Sequence, residues 1–561
     1  MKASKNRRLG DLLMEVGIIN QGQLKTALEK QKDTNKKIGQ ILVDEKLVTE
    51  TQIIEILEFQ LGIPRMDLEK TYISPEIPRI ISEKLARRHN LIPVKQEDNM
   101  LTVAMADPLN IFAIDDVKIA TGMNVEPVIS SKSDILNAIG IYYEKESAEK
   151  ALIEFSETYD ASLFEELEDD ETLANVDRAP VVKLLNSIIR QAIKVKASDI
   201  HIEPLEHELR IRYRLDGDLQ EVMRPNKASH PPIVTRIKIM GKMDISEKRV
   251  PQDGRVEMEI DNRDIDMRIA VMPTVYGEKV VIRLLDRSSV LLSKQELGFS
   301  DENMESFERI IKHPHGIFLV TGPTGSGKTT TMYTALQELN TIDKNIITVE
   351  DPVEYRINGI NQSQVNTKAG LTFASGLRSI LRQDPDIIMI GEIRDTETAQ
   401  IAVRAAITGH LVLSTVHTND TVSTISRLKD MDIPYYLISS SVVGIMAQRL
   451  VKRICKSCKV SYEPGPKERD LLHLDNGTPL YRGKGCNACN HTGYKGRIAI
   501  HEILPMTEAI KNMIDENQTV EHIKHKALEQ GMITLRESCN QLVKDGITTI
   551  DELIRMTYSL D

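Results

Sequence analysis

One octapeptide limits what this chain can fold into more than any other stretch: Gly322-Pro323-Thr324-Gly325-Ser326-Gly327-Lys328-Thr329. Glycine, four residues and then Gly-Lys-Thr is the pattern of a loop whose backbone N–H groups wrap a phosphate. The pattern needs a strand before it and a helix after it, so that the phosphate meets a helix N-terminus. Both flanks comply: Gly316-Ile317-Phe318-Leu319-Val320-Thr321 reads as a short buried strand, and Thr330 to Asn340 as a helix. In such a loop Lys328 reaches the β- and γ-phosphates, and the Thr329 hydroxyl is a ligand to Mg²⁺. Residues Gly322 to Thr330 are therefore the expected binding segment for a nucleoside triphosphate such as ATP.

Three further apolar runs follow. Ile346-Ile347-Thr348-Val349 ends in Glu350-Asp351-Pro352-Val353-Glu354, and Ile387-Ile388-Met389-Ile390 ends in Gly391-Glu392-Ile393-Arg394-Asp395. Leu411 to Val416 ends at His417, with His410 just before it. Apolar runs interleaved with helices indicate a parallel sheet buried on both faces. Ligands of such sheets sit beyond the carboxyl ends of the strands, so the carboxylates and His417 converge on the phosphate loop. Water attack on a γ-phosphate needs Mg²⁺, a carboxylate to orient or deprotonate the water, and a cation for the transition state. Glu354 is the candidate base and Glu392 the candidate holder of Mg²⁺. The usual second nucleotide motif has Asp where Gly391-Glu392 stands here, so the division of labour between Glu354 and Glu392 is open.

The 561 residues suffice for roughly three to five domains of about 100–200 residues each. Net charge is −11, which argues against a duplex-DNA motor with a basic channel; no nucleic-acid partner is expected. No apolar run approaches the roughly 18 residues of a membrane span, and nothing resembles a signal peptide, so the expected compartment is the cytoplasm. Disulfides are rare there, and four of the five cysteines are spaced for another purpose. Cys455-x-x-Cys458 and Cys486-x-x-Cys489 are two knuckle pairs separated by 27 residues, the pattern of a closed, structural Zn²⁺ site. Cys539 stands alone and reads as packing.

The N-terminal residues 1–62 contain a repeat. Gly10 to Gly39 and Gln31 to Gln60 give the same 29-residue offset, and each copy reads as two short helices with Asn20 and Thr49 as N-caps. Residues 63–143 read as a small α/β module, with strands at Leu91–Val94 and Met100–Met105. Acidic residues dominate 144–177, the expected linker. Residues 178–290 open with a helix from Pro180 to Lys194 and then become strand-rich, with Arg210, Arg212, Arg214, Arg255, Arg268 and Arg283 along the strands. The first three alternate and share a face. Such arginines are either a solvated face or fingers that reach a phosphate across a subunit boundary.

Taken together, these motifs resemble the secretion-superfamily ATPases of type II secretion and type IV pilus assembly. The residues that match are Gly322 to Thr329, the "Asp box" Glu350 to Tyr355, the atypical Walker B segment Asp384 to Asp395, the "His box" Gly409 to Asp420, the tetracysteine and Gly493-Tyr494-Lys495-Gly496-Arg497. The resemblance implies an α/β protein: a RecA-like phosphate-loop ATPase domain (291–561, with a zinc insertion at 453–492) preceded by a PAS-like domain (178–290) and the small N-terminal modules. It implies a homo-hexamer at the inner face of the cytoplasmic membrane, coupled to an inner-membrane platform protein and, through it, to pilin or pseudopilin subunits. Lys328, Glu354, Glu392 and His417 would be catalytic, with Arg210, Arg255 and Arg268 acting in trans. The doublet resembles a cyclic di-GMP-binding domain found on some of these ATPases, matching at Arg8, Gly10, Leu28, Gly39 and Leu57 among others. There Leu13, Leu28, Leu42 and Leu57 would cover the guanines, while Gly10 and Gly39 would allow close backbone approach.

Overall fold

The computed structural model describes residues 9–143 with short interruptions, 180–287, and 292–558 save position 476. Arg8, Leu57, Gln60 and the acidic segment 144–177 lie outside the described residues. The chain divides into two compact units. The first consists mainly of residues up to Val256 with Arg268–Leu284; the second consists of Glu257–Met267, Leu285–Gly485 and Thr492–Asp561.

In the first unit the repeat is visible in three dimensions. Helices Leu9–Glu15 and Gln21–Asp33 form one copy, and helix Ile38–Asp44 opens the second. The caps repeat too. Asn20 and Gln23 exchange reciprocal backbone–side-chain hydrogen bonds, and Thr49 and Gln52 do the same one repeat later. Equivalent side chains fill the shared core, with Leu13 and Leu42 both 0% exposed. A three-stranded sheet follows, made of β1 (Leu91–Glu97), β2 (Met100–Met105) and β3 (Asn124–Ile129) in that order. It fulfils the α/β expectation for this module. Next come the helix Pro180–Lys194 and a six-stranded sheet of β4 (Asp199–Pro204), β5 (Leu209–Leu215), β6 (Asp218–Met223), β7 (Gln252–Ile260), β8 (Arg263–Thr274) and β9 (Gly277–Asp286). Its order is β6-β5-β4-β9-β8-β7.

The second unit is built on a seven-stranded sheet. Its strands are β10 (Gly316–Thr321), β11 (Ile346–Glu350), β12 (Asn361–Gln364), β13 (Ile387–Ile390), β14 (Leu411–Val416) and β15 (Val442–Ile454), closed by β18 (Tyr494–Pro505). The order is β12-β11-β13-β14-β10-β15-β18, parallel throughout except for the β15–β18 pair. Every residue of β10 is buried. Ile317 and Leu319 feed one core while Phe318 and Val320 feed the other, as the pleat requires of a strand covered on both faces. The short strands β16 (Lys459–Tyr462) and β17 (Leu480–Gly483) form a separate antiparallel pair. Four helices, Glu508–Asp515, Val520–Glu529, Leu535–Lys544 and Ile550–Tyr558, complete the unit. Cys539 is fully buried among them, and burial pushes its thiol up to about 12, as befits a packing residue. Among the described residues no helix is long and apolar enough to cross a membrane.

Candidate functional site

The neighbouring order β11-β13-β14-β10 aligns four parallel carboxyl ends on one edge of the sheet. At the end of β10 the chain enters the phosphate loop. Gly322, Gly325 and Gly327 there have φ of 145°, 79° and 88°, a region that side chains other than glycine rarely adopt. A Cβ at Gly322 would also lie 2.4 Å from the Gln448 carbonyl oxygen, so space and torsion both select glycine. Helix Lys328–Leu339 starts directly after Gly327, which turns the loop's N–H groups toward its N-terminus. The buried Ser326 hydroxyl finds no protein partner among the described residues. Such a cradle, with a buried hydroxyl and an ammonium beside it, fits a phosphate.

Lys328 is buried, and its Nζ donates to the carbonyls of Gly322 at 2.7 Å and Pro323 at 3.2 Å. Burial pulls its ammonium down to about 8, against the opposing pull of the Glu392 carboxylate and with a further push from Arg449. Glu392 just past β13 is therefore part of the same electrostatic site. Its Oε2 lies 2.5 Å from Arg394 Nε and 3.4 Å from His417 Nε2. His417 and Glu392 thus meet, as the strand ends demanded. Thr329 is exposed at the helix start and Thr330 half-buried behind it. Glu354 lies in the loop after β11, its backbone N–H donating to the Tyr333 hydroxyl at 3.1 Å.

Other acidic residues of the motif segments have local duties. Asp395 accepts from Thr398 N at 2.8 Å and caps helix Thr396–Ile407, while Asp420 accepts from Ser423 N at 2.7 Å and caps helix Thr421–Asp430. His410, at the opposite end of β14, is bonded to the Ala405 carbonyl at 2.9 Å. The motif reading passed over two residues of β15, of which Gln448 reaches the loop and Arg449 acts on Lys328 through its charge. Gln448 donates to the Ser326 carbonyl at 2.9 Å and accepts from the Thr331 hydroxyl at 2.7 Å. Arg449, buried and with its guanidinium pKa lowered by that burial, donates to Asn419 Oδ1 at 3.1 Å. Their one sequence signal is a Gln-Arg dipeptide inside an otherwise apolar run.

The arginines of the six-stranded sheet behave differently. The β4–β5 register sets Asp199, His201 and Glu203 opposite Arg214, Arg212 and Arg210. Glu203 pairs with Arg210 at 3.0 Å, Arg212 at 2.9 Å and Lys279 at 2.9 Å. Asp199 pairs with Arg283 at 3.1 Å and Arg214 at 3.5 Å. Burial alone would raise the Glu203 carboxyl, but the hydrogen bonds and charges of Arg212 and Lys279 outweigh it and hold the group at about 2. Arg255 is exposed on β7, and Arg268 is half-buried on β8.

The four knuckle cysteines come together. Antiparallel pairing of Lys459 with Gly483 sets the two turns side by side, and Lys484 N donates to the Cys458 carbonyl at 3.0 Å. The four sulfurs lie within 4.8 Å of one another, and those of Cys486 and Cys489 are 3.7 Å apart. Zn–S bonds of about 2.3 Å in a tetrahedron put sulfurs roughly 3.8 Å apart. The donor set fits zinc.

In the doublet, two expectations change. Leu13 and Leu42 are wholly enclosed, so they are core residues and not a wall for a flat ligand. Gly10 is explained by packing, because a Cβ there would stand 2.6 Å from Leu24 Cδ1. Gly39 is buried in the helix Ile38–Asp44. Leu28, by contrast, is 43% exposed and borders an open surface depression with Lys25, Glu29 and Gln31 of the same helix.

The family model described as type II/IV secretion system protein matches residues 174–555, and the MshEN domain model matches residues 61–149. The chain is 44% identical to the type IV pilus assembly ATPase PilB of Myxococcus xanthus, across 98% of this chain and 99% of that protein. It is also 44% identical to the type II secretion system ATPase E of Vibrio cholerae, over 84% of this chain and 95% of that one. Among solved structures, the ATPase DotB of Legionella pneumophila superposes with a TM-score of 0.51 at 21% identity. That likeness covers 67% of this chain and 95% of that one, and bears on fold alone.

Proposed function

Because the chain belongs to the type II/IV secretion system protein family, whose matched relatives are ATPases, we propose that it is the ATPase that powers type IV pilus assembly. The observation that carries this reading is the end-to-end match to a pilus assembly ATPase, with the phosphate loop, Glu392 and His417 gathered on one sheet edge. The second reading is type II secretion, favoured by relatives of that name at the same identity. In either case the protein works as a homo-hexamer on the cytoplasmic face of the inner membrane. It drives a platform protein there, and through it pilin or pseudopilin subunits.

We assign the division of labour within the site as follows. The loop from Gly322 to Thr330 and Lys328 hold the triphosphate, and Thr329 with Glu392 would hold Mg²⁺. Bound there, the ion neutralises charge building on the phosphates. Arg394 and His417 fix the Glu392 carboxylate. Glu354 orients and deprotonates the attacking water. Arg255 and Arg268 supply positive charge across a subunit boundary, and Arg210 joins them only by exchanging its bond to Glu203. In the native host, deletion should abolish surface pili, and an allele with Glu354→Gln should fail to restore them. Intact piliation with lost enzyme secretion would move the assignment to type II secretion. Strong stimulation of ATP turnover by DNA would overturn both.

One Zn²⁺ per chain would sit on Cys455, Cys458, Cys486 and Cys489 and staple the β16–β17 lobe, since binding free energy is folding free energy at such sites. Elemental analysis of protein purified without chelator checks it, and the absence of stoichiometric metal would refute it. The doublet would take cyclic di-GMP at the exposed Leu28 and its neighbours, with Arg8 and Leu57 as further contacts. The MshEN match begins only at residue 61, so this assignment rests on the doublet's own side chains. Calorimetric titration of the whole protein should give micromolar binding that Leu28→Asp removes; no heat would leave the doublet a docking module.

A further inference from the structure

Tyr333 is wholly buried on the helix that carries Lys328, about one and a half turns on, and its hydroxyl meets the end of β11. Its hydroxyl donates to Glu350, the last residue of that strand, and accepts the backbone N–H of Glu354 at 3.1 Å. Glu350 is itself only 3% exposed and also accepts from the Thr348 hydroxyl at 2.5 Å and from Gln362 Nε2 at 3.1 Å. Gln362 in turn donates to the Tyr355 carbonyl at 2.9 Å and accepts from Ile357 N at 2.7 Å. The loop after β11 is thus sewn at residues 354, 355 and 357 to one buried carboxylate and its partners. One stitch at Glu354, to its backbone N–H, comes from the phosphate-binding helix. The Tyr355 ring meets the Tyr333 ring edge-on, with centroids 6.0 Å apart, which closes the same joint.

We infer that Tyr333 is a positioning residue for hydrolysis: it fixes the Glu354 backbone to the helix that holds the phosphates, so that base and γ-phosphate keep one spacing. The inference rests on Glu354 being the base. A phenol suits the task because one oxygen both donates to a carboxylate and accepts from an amide. Charge-assisted bonding to a buried carboxylate makes the joint stiff. Small errors in the placement of a reacting group are costly, since the gain from proximity requires reacting atoms within roughly 3–3.5 Å.

The test is Tyr333→Phe in the full-length protein, which keeps the ring and deletes only the oxygen. The expected result is a fall in kcat of about 10-fold with KM for ATP within twofold of the parent, because the phosphate loop is untouched. Combined with Glu354→Gln, it should cost nothing further, as two changes in one unit are not additive. A Tyr333→Phe enzyme with unchanged kcat overturns the inference, and so does a double variant whose losses multiply, even with Glu354 standing as base. Normal turnover by Glu354→Gln alone would instead remove the base assignment, and the positioning role with it. Should the lone hydroxyl deletion unfold the protein by stranding Glu350, Tyr333→Phe with Glu350→Gln removes the buried charge as well. The same kcat loss and the same non-additivity are required of it.

Discussion

On the face of β4, β5 and β9 the charged side chains come from within the strands, whereas around β10, β11, β13 and β14 they come from loops and a helix start beyond the strand ends. In the first region, cross-strand register decides the partners: Arg210 and Arg212 fall on Glu203, and Arg214 and Arg283 on Asp199. Charges placed by a ladder are close to opposite charges by construction and largely neutralise one another. In the second region the sheet brings Lys328, Glu392 and His417 to one edge without pairing Lys328 to any carboxylate within salt-bridge distance among the described residues. The same residue types make a structural lattice in one place and leave a buried lysine outside any salt bridge among the described residues in the other. Mid-strand arginines in a sequence therefore call for a search for carboxylates on the neighbouring strand before any finger is assigned.

The comparison can be broken at either end. The largest effect belongs to the sheet edge. Lys328→Ala should reduce ATP binding below detection in a fluorescent-nucleotide assay, while Glu354→Gln should keep binding and lower kcat by about 10² or more. Should Glu392→Gln lose turnover while Glu354→Gln does not, the two carboxylates exchange roles. The smaller effect belongs to the lattice. Glu203 sits at about 2, below its ordinary 4.5, so the stability it contributes is complete above pH 4.5 and disappears as pH falls from there toward 2. Glu203→Gln should therefore lower the unfolding free energy near neutral pH by about 3 kcal/mol, the scale for removing one partner of a buried pair. It should also flatten the decline of the melting temperature below pH 4.5. A variant whose acid profile matches the parent would show that Glu203 is not held low.

Much of this was legible in the chain because the signals are local. The phosphate loop announces its own strand and helix, and the apolar runs that end in Glu392 and His417 state both the sheet and the edge on which its ligand sits. Asn20 marked a helix start correctly because a cap is settled within three residues, and Thr49 makes the same reciprocal bond with Gln52. What escaped needed distant partners. Tyr333 acquires meaning only from Glu350, which lies at the end of the next strand, and Gln448 from Ser326, more than a hundred residues earlier. Leu13 and Leu42 were misread because the period of a short helix says which residues share a face, and not whether that face meets a ligand or the other copy. The alternation of Arg210, Arg212 and Arg214 was plain; the carboxylates opposite them depended on the antiparallel register of β4 and β5.

Strand β15 is long, and its two jobs lie at different points along one rod. Gln448 grips the phosphate loop midway, and Ile454 at the far end leads straight into Cys455 of the zinc knuckle. Gln448 and Ile454 are six residue steps apart, roughly 20 Å of extended backbone, hydrogen-bonded along its flank to β18. A laddered strand bends far more easily than it stretches, and the register shift between Lys452 and Ile454 puts a bend in this one: the rod is stiff from Gln448 to Lys452 and jointed just before the knuckle.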